Sequence, residues 1–534
     1  MKQKLFLYFS ILLLLGLKFY FSWTGFLNFE GSFFELSRQI SSHFTPLRDA
    51  LYFKLQSNPI GTSLLISGFQ GFIGLFSDTP AVALARWPAI VLMIPCILLV
   101  RKVLEIEFLK LSDWQASLLT LIIFLHPSIW TYTGKAFSDS YFIVASFSVF
   151  CLYFLYLVKP SKTLFVILNL IILLGLSFKL NMMMVVAVLA LDLFFDYFKR
   201  PQFFRNILKD ERIFFGLSFL LGLLGYFSIS RYLDIPFRQN NQGLMQLSVA
   251  EMFRNIILYN LHFFIVATPI SFLSVWALFQ KSSRREFISN LVGSFFLLFI
   301  FLVFFNENTL FNTGELNFGS FIDQIFMKFY AYVAPILLFF SLFYFVSILQ
   351  FGFKLVMKSG AKSWVEKFEF SLILFLIALL FFHSFVKPVQ RYLLVFIFFY
   401  FLHFVLLYGT QMRSKSSWKF TTLFSVMAAG YFIVSLFLTI QSQVRGDAYL
   451  ELGRMISESD QYRIDEDKDV MHAHLYGNVA EKYLRASTAR KLLCIEHVGY
   501  DGKDFSADEV VFKIEKSNFL NKQKFRLFAR DCSK

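Results

Sequence analysis

The stretch "DSYFIVASFSVFCLYFLYLV", residues 139–158, decides the fold class, because its only charged residue is the first one. An α-helix of about 20 apolar residues is long enough to cross roughly 30 Å of hydrocarbon. Runs of this kind recur along the chain, and we count about thirteen. The sequence therefore predicts an all-α polytopic membrane protein.

The composition supports the same class. The chain has 534 residues, of which 57% are hydrophobic and 16% are charged, and its mean hydropathy is +0.60. A soluble globule of this length could not bury so many apolar side chains, which argues against a soluble enzyme. The net charge of +15 comes from basic residues scattered between apolar runs. This pattern indicates orientation in a lipid bilayer and not binding to nucleic acid.

The first apolar run, about residues 5 to 22, lacks a small-residue cleavage site, so we interpret it as an uncleaved span with a cytoplasmic N-terminus. Basic residues are concentrated in alternate polar links, which the positive-inside rule assigns to the cytoplasm. These links are 101–110, 159–162, 199–212, 281–285, 354–367 and 413–419. The rule then places the other links outside: 23–82, 126–139, 230–256, 306–324, 385–391 and everything after about 442. Within 23–82 we expect surface helices near 32–55 and 58–77.

The chain divides by composition into a transmembrane part, 1–442, and a charged tail, 443–534. The tail is predicted to be a small extracytoplasmic α/β domain with a helix near 478–485. Its short alternating runs predict strands at 469–475, 491–498, 509–514 and 524–528. Cys494 and Cys532 could pair there if the compartment is oxidising. No metal site is predicted, because His472 and His474 have no third ligand nearby in the sequence.

Two acids stand in "NFEGSFFELS", residues 28–37. Glu35 lies three residues before Arg38, one helical turn away, so the two can neutralise each other. Glu30 has no basic residue at that spacing and is the better candidate for a general base, although it could be a solvated loop acid. Asp139 is a further candidate, and Ser138 and Asp139 could equally form the N-cap of the fourth span.

Candidate phosphate-binding residues lie between the eleventh and twelfth predicted spans. Arg391 stands beside Tyr392 at the start of an apolar run, with Lys387 one turn earlier. An interfacial Arg-Tyr pair can simply anchor a helix. An arginine fork beside a lipid is also well suited to holding a phosphate.

The order of several motifs carries a resemblance to a known superfamily. A long outer loop opens with an acid and contains "NPIG" at 58–61, and "ALARWPAIVLMIPCILLVRKV" follows at 83–103. Then come "HPSIWTYTGKAFSD" at 126–139 and "QRYLL" at 390–394. This layout, over roughly residues 1 to 410, resembles the GT-C superfamily of membrane glycosyltransferases, which includes protein O-mannosyltransferases and lipid A aminoarabinose transferases.

The resemblance implies an active site at the outer face of a bacterial cytoplasmic membrane and a polyprenyl-phosphate-linked sugar as donor. It implies Glu30 as the base, Asp139 as a second acid, and Arg391 with Lys387 or Lys54 as ligands of the lipid phosphate. Inverting transfer to a glycan, lipid or protein acceptor would need no metal or other cofactor. This chain departs from the pattern where Gly31 follows a single acid in place of an Asp-Glu pair.

Two other functions remain open at this stage. A transporter or lipid flippase would be expected to carry acids or broken helices in the middle of its spans and an inverted repeat, and the sequence shows no such repeat. An O-antigen-type polymerase or ligase usually has a large loop between late spans. The long outer regions here are the first loop and the tail, which disfavours that alternative.

Overall fold

The structure of the protein is a computed structural model. It describes residues 2–22, 61–74, 81–179, 181–198, 205, 208–232, 248–304, 320–357, 363–384, 394–412, 417–458, 462–464, 491–498, 510–518 and 521–531.

Most of these residues form α-helices, which we number in chain order. The first eight are α1 (Lys2–Phe21), α2 (Gly61–Gly74), α3 (Ala81–Leu104), α4 (Asp113–Leu125), α5 (Pro127–Tyr132), α6 (Ser138–Val158), α7 (Lys162–Phe178) and α8 (Met182–Tyr197). The others are α9 (Phe214–Tyr232), α10 (Val249–Val266), α11 (Ile270–Lys281), α12 (Arg284–Phe304), α13 (Ser320–Met357), α14 (Trp364–Ser384), α15 (Val395–Met412) and α16 (Ser417–Glu458).

Several of these helices have the length and composition of membrane spans. Within the described residues, six are long and apolar enough to cross a bilayer, and they lie in α3, α6, α10, α12, α13 and α16. Shorter apolar helices occur at 11–21, 113–125, 162–178 and 395–409. The protein is therefore a largely helical membrane protein. The count of about thirteen spans and the orientation of the termini stay predictions.

The quoted run forms α6, which lies at the centre of the helix bundle. Helix α6 contacts α3, α7, α14 and α15, and 89% of its most apolar stretch is buried inside the protein. The ring centroid of Phe150 lies 4.9 Å from those of Phe375 and Phe399. The ring centroid of Phe154 lies 4.5 Å from that of Phe368. Contacts between aromatic rings at these distances stabilise a core beyond the burial of their area. Here phenylalanine, so frequent in the sequence, fills the space between helices.

The helix predicted at 58–77 is present as α2, which packs on α3 and α7, and its place at the membrane surface stays a prediction. Gly61 begins it and lies against the end of α7. A Cβ added to Gly61 would stand 2.5 Å from the carbonyl oxygen of Ser177. Only glycine permits this approach.

The apolar stretch between the predicted links 230–256 and 281–285 is predicted to be a single span, but in the structure its helix is broken. Helix α10 ends at Val266 and α11 begins at Ile270, because Pro269 has no N–H to continue the helical pattern. The carbonyl groups at the break have side-chain donors. His126 donates from Nε2 to the oxygen of Val266 at 3.0 Å, and Tyr431 donates to the oxygen of Thr268 at 3.0 Å.

The last helix continues from the membrane part into the tail. Helix α16 passes without interruption through residue 442, where the composition changes, and it contacts three of the four strands that follow. The strands are β1 (Tyr462–Ile464), β2 (Lys491–Val498), β3 (Val510–Asn518) and β4 (Asn521–Asp531). They form one sheet in the order β1-β2-β4-β3, with β1 and β2 parallel and the other pairs antiparallel.

The sheet contains strands at three of the four predicted positions. The expected strand at 469–475, the expected helix at 478–485 and Cys532 lie outside the described residues. An α/β domain in the tail, and a boundary at 442, therefore stay predictions.

A cluster of buried charges joins the ends of α6, α8, α9 and α14. Arg212 donates from Nη1 to Asp196 at 2.8 Å and from Nη2 to Asp210 at 2.7 Å. Lys367 of α14 also pairs with Asp196 of α8, at 2.9 Å, and Arg212 Nη1 donates to the hydroxyl of Tyr153 in α6 at 3.3 Å. Burial alone would raise the pKa of the Asp210 carboxyl, but the hydrogen bonds and charge of Arg212 outweigh it and hold that pKa below its usual value. These contacts fix four chain segments together at the side predicted to be cytoplasmic.

Candidate functional site

A cleft of about 70 Å³, open to the outside, lies where α1, α3, α16 and the segment made of α5 and the turn that follows it meet. Its walls are built by side chains from these four segments, namely Lys18, Phe21, Ser22, Arg86, Trp130, Thr131, Thr133, Gly134, Lys135, Leu438, Thr439 and Gln443. All four segments lie at helix ends that the charge pattern predicts to be on the outer side of the membrane.

Lys18 is a tightly held cation of the cleft. Its Nζ donates to the carbonyl oxygen of Trp130 and to that of Thr133 at 2.7 Å. The same Nζ lies 4.1 Å from the centroid of the Trp130 ring, a distance at which the ring face attracts a cation. Only 9% of Lys18 is exposed. The ammonium group is therefore fixed by α1 on one side and by α5 on the other.

Arg86 enters the cleft from the first turns of α3. Its Nη1 donates to the carbonyl oxygen of Ser22 at 3.1 Å, and the neighbouring Trp87 donates from Nε1 to the hydroxyl of Ser22 at 3.0 Å. Both bonds satisfy groups at the C-terminal end of α1, where helical carbonyls lack partners in their own helix. The end of α1 and the start of α3 are thereby joined, and two cations from different helices line one cleft.

The turn between α5 and α6 supplies the third cation, Lys135. The preceding residue, Gly134, has a φ of +76°, which favours glycine. A Cβ on Gly134 would lie 3.2 Å from a side-chain carbon of Ile90 and 3.3 Å from one of Lys18. The backbone N–H of Lys135 donates to the hydroxyl of Ser140 at 3.2 Å. The turn therefore packs closely over Lys18 and is attached to the first turn of α6.

Asp139, a predicted catalytic acid, is buried and forms an ion pair with Lys179 at the end of α7. It is not among the residues that line the cleft. Helix α6 begins at Ser138, and Phe137 holds the N-cap position without a side-chain capping bond. The N-cap interpretation of Ser138 and Asp139 is therefore wrong. The geometry gives Asp139 a structural contact between α6 and α7, and its catalytic role stays a prediction.

The remaining predicted site residues lie outside the described residues, and their roles stay predictions. They are Glu30, Lys54, Lys387, Arg391 and Tyr392.

Two cleft residues were missed as site candidates. Lys18 is a cation near the end of an otherwise apolar span, and ionisable residues in such spans usually have a function or a specific partner. Arg86 stands inside the "ALARWP" motif, which contributed to the resemblance only through its order in the chain. The sequence shows both basic residues, but it does not show that they lie close together in the fold.

Three of the described residues that line the cleft are basic. The described residues that line it include Lys18, Arg86 and Lys135, and none of the lining residues in this described set is an acid. Cations grouped in a cleft with low-dielectric walls concentrate anions from solution. Arginine offers a planar fork that matches phosphate, and lysine offers a compact point charge. Among the described residues no cluster of three or more His, Cys, Asp or Glu side chains suits a metal ion.

The grouped cations favour an anionic group, such as a phosphate, beside aromatic and aliphatic side chains. Comparison of the whole chain with models of protein families and with curated proteins found no match. The function is accordingly argued from the cleft and from the layout of the chain.

Proposed function

We propose that the protein is a membrane glycosyltransferase that moves a sugar from a polyprenyl-phosphate-linked donor to an acceptor at the outer face of a bacterial cytoplasmic membrane. The observation that carries the proposal is the cleft with Lys18, Arg86 and Lys135, since a phosphate on a lipid needs cations at the membrane surface. The acceptor is a glycan, a lipid or a protein. In this proposal the tail after residue 442 forms a small α/β domain on the same outer side of the membrane.

The chemistry requires a base and a stabilised leaving group. The acceptor hydroxyl oxygen bonds to the anomeric carbon as the bond from that carbon to the phosphate oxygen breaks. A carboxylate takes the hydroxyl proton, which typically contributes a factor of about 10² to 10⁴ in rate. Glu30 is the proposed base. The departing polyprenyl phosphate gains negative charge, which preorganised cations stabilise without a metal. Attack opposite the leaving group inverts the anomeric carbon.

The charges of the cleft predict a measurable affinity for the leaving group. We would measure binding of undecaprenyl phosphate to the full-length protein in nanodiscs by native mass spectrometry. A charge-assisted hydrogen bond contributes about 1.5–3 kcal/mol, so Lys18→Met or Arg86→Met should weaken binding about 10- to 100-fold. Lys102→Met is the matched control, because Lys102 lies exposed on α3 at the opposite end from Arg86.

The three results together decide the binding step. Loss in both cleft variants with none in the control supports a phosphate site. Equal binding by the wild type and both cleft variants contradicts it.

Catalysis is tested separately. Vesicles are prepared from cells that lack the protein. Addition of the wild-type protein should restore the transfer of one sugar to a glycan, lipid or protein, and mass spectrometry detects the modified acceptor. Glu30→Gln should insert normally and transfer no sugar. Transfer at the wild-type rate by that variant would remove Glu30 from the mechanism.

One observation favours a second candidate, a flippase for lipid-linked sugars. Transporters use helices that are broken in the middle of a span, and the break between α10 and α11 is of that kind. The described donors to the carbonyls at the break belong to His126 and Tyr431, which stabilise a fixed break. A labelled lipid-linked sugar in vesicles separates the two functions, because a flippase moves it across the bilayer without any acceptor.

A further inference from the structure

Three side chains form a series that begins on α16 and ends at the cation of α1. Thr439 Oγ1 accepts a hydrogen bond from Trp130 Nε1 at 2.6 Å and donates its own to the carbonyl oxygen of Ser435 at 2.7 Å. The face of the same Trp130 ring lies 4.1 Å from Nζ of Lys18, and its backbone carbonyl accepts from that Nζ. Thr439 therefore holds the ring that holds the cation.

The hydroxyl of Thr439 determines where the indole can lie. Only 4% of Trp130 is exposed, and an indole N–H can donate but not accept. A buried donor that loses its acceptor costs about 1–3 kcal/mol. Valine has nearly the shape of threonine and no hydroxyl, so in Thr439→Val the ring either keeps an unsatisfied N–H or turns towards water. In the second case Lys18 loses the aromatic face beneath it.

Helix α16 is well placed for this role because it is anchored on both sides of Thr439. Ser435, one turn earlier, donates to the carbonyl oxygen of Leu125 at 2.7 Å, which joins α16 to the end of α4. Beyond Thr439 the helix continues to Glu458 and contacts β1, β3 and β4. Thr439 thus stands on a helix whose position is set by the bundle and by the C-terminal sheet.

We propose that Thr439 is a positioning residue that, through the indole of Trp130, sets the place of the Lys18 ammonium group in the cleft. The part of this inference that concerns phosphate binding rests on the proposed function. The placement of Lys18 does not, and it can be measured without any ligand.

The first measurement is the reactivity of Lys18 in the full-length protein in nanodiscs. A limiting amount of a water-soluble acetylating reagent is added, and the labelled peptides are quantified by mass spectrometry with exposed Lys102 as the internal reference. Lys18 of the wild type should react slowly. Thr439→Val should raise the relative rate of Lys18 at least about threefold by exposing its ammonium group. Thr439→Ser keeps the hydroxyl, so Lys18 should react at the wild-type rate in that variant. Thr422→Val, an exposed site on the same helix, is the matched control.

The second measurement is binding of undecaprenyl phosphate to the same variants. Thr439→Val should weaken binding about tenfold, which corresponds to about 1.4 kcal/mol. In a Lys18→Met background Thr439→Val should add no further loss, since the group that it positions is absent. Increasing salt should weaken binding less steeply in Thr439→Val than in the wild type. A loss of packing alone would leave that salt dependence unchanged.

The outcomes separate the two proposals. If Lys18 reactivity changes as expected while the wild type binds no undecaprenyl phosphate, the positioning role stands and the proposed function fails. If the wild type binds the lipid but Thr439→Val changes neither reactivity nor affinity, the positioning role is overturned. An equal loss of affinity with and without Lys18 also overturns it. Thermal unfolding of each variant confirms that the comparison is made between folded proteins.

Discussion

Arg212 allows a quantitative test of the buried charge cluster. Replacement by methionine keeps much of the volume of the side chain and removes the charge. In the wild type only 5% of Arg212 is exposed, and its two terminal nitrogens bind Asp196 and Asp210 at 2.8 and 2.7 Å. We expect Arg212→Met to lower the free energy of unfolding strongly.

The magnitude follows from the contacts. At an effective dielectric constant of about 20, two unit charges at about 2.8 Å attract each other by roughly 6 kcal/mol, before the cost of removing them from water. Removal of one partner of a buried pair costs about 3–5 kcal/mol in practice. Lys367 stays 2.9 Å from Asp196 and still neutralises it, whereas Asp210 loses its described cation. We therefore expect a loss of about 4 kcal/mol.

The pH dependence has a definite sign. The pKa of Asp210 is lowered in the folded protein, so its pairing contributes stability above the pKa of an unfolded aspartate, about 3.9, and loses it as the pH falls through the folded value. Asp210→Asn should thus be less stable than the wild type at pH 7. The difference should narrow below about pH 4.

The assay is unfolding by SDS in mixed micelles at pH 7. Arg212→Lys keeps the charge but loses the fork, so it should lose about 1.5–3 kcal/mol, the value of one charge-assisted bond. The control is Lys209→Met, because Lys209 is exposed in the same link, and it should change stability by less than about 0.5 kcal/mol. A loss below about 1 kcal/mol in Arg212→Met, or an equal loss in Arg212→Lys, would refute the reasoning.

Three further predictions concern close contacts near the helix ends that are predicted to face the outside. Gly134→Ala, at a φ of +76°, should cost about 1–3 kcal/mol and weaken binding of undecaprenyl phosphate, measured by unfolding and native mass spectrometry. Gly61→Ala, whose Cβ would stand 2.5 Å from the Ser177 carbonyl oxygen, should lower the thermal unfolding temperature through about 1–3 kcal/mol of overpacking. Asp139→Asn should cost about 3–5 kcal/mol by removing the described counter-charge of the buried Lys179. Asp139→Asn with Lys179→Met should regain part of that stability, and a double variant that is stable yet transfers no sugar would favour catalysis by Asp139.

The helices could be predicted because each depends on a local pattern. The apolar run 139–158 forms α6 at 138–158, and the helix predicted at 58–77 is α2 at 61–74. Three strands of the tail lie where the alternation of apolar and polar residues predicts them, at 491–498, 510–518 and 521–531. A helix end that depends on distant partners was harder to predict. The composition at 442 does not show that α16 continues to Glu458, because the sheet that contacts this helix is formed by later residues.

The cleft could not be predicted because its contacts are distant in sequence. Lys18 and Trp130 are separated by 112 positions, and Trp130 and Thr439 by 309. Local spacing paired Glu35 with Arg38 and suggested that Ser138 or Asp139 caps α6. The partner of Asp139 is instead Lys179, 40 positions later. A charge in an apolar run indicates that some partner exists but does not identify it.

The segment between α4 and α6 explains why the cleft suits an anion better than its charge alone would suggest. His126 bonds to the end of α10 and Trp130 to α16, and Asp139, in the first turn of α6 just after the segment, bonds to the end of α7. Three other helices therefore fix the segment and the start of α6. Lys18 is bound to two carbonyl groups of that fixed segment. A ligand that meets cations already in place does not have to order them, and binding loses less free energy as a result. In the proposed reaction, the same fixed charges would stabilise the leaving phosphate without rearrangement. Preorganisation by distant helices, more than the number of cations, is therefore the property on which the proposed transfer depends.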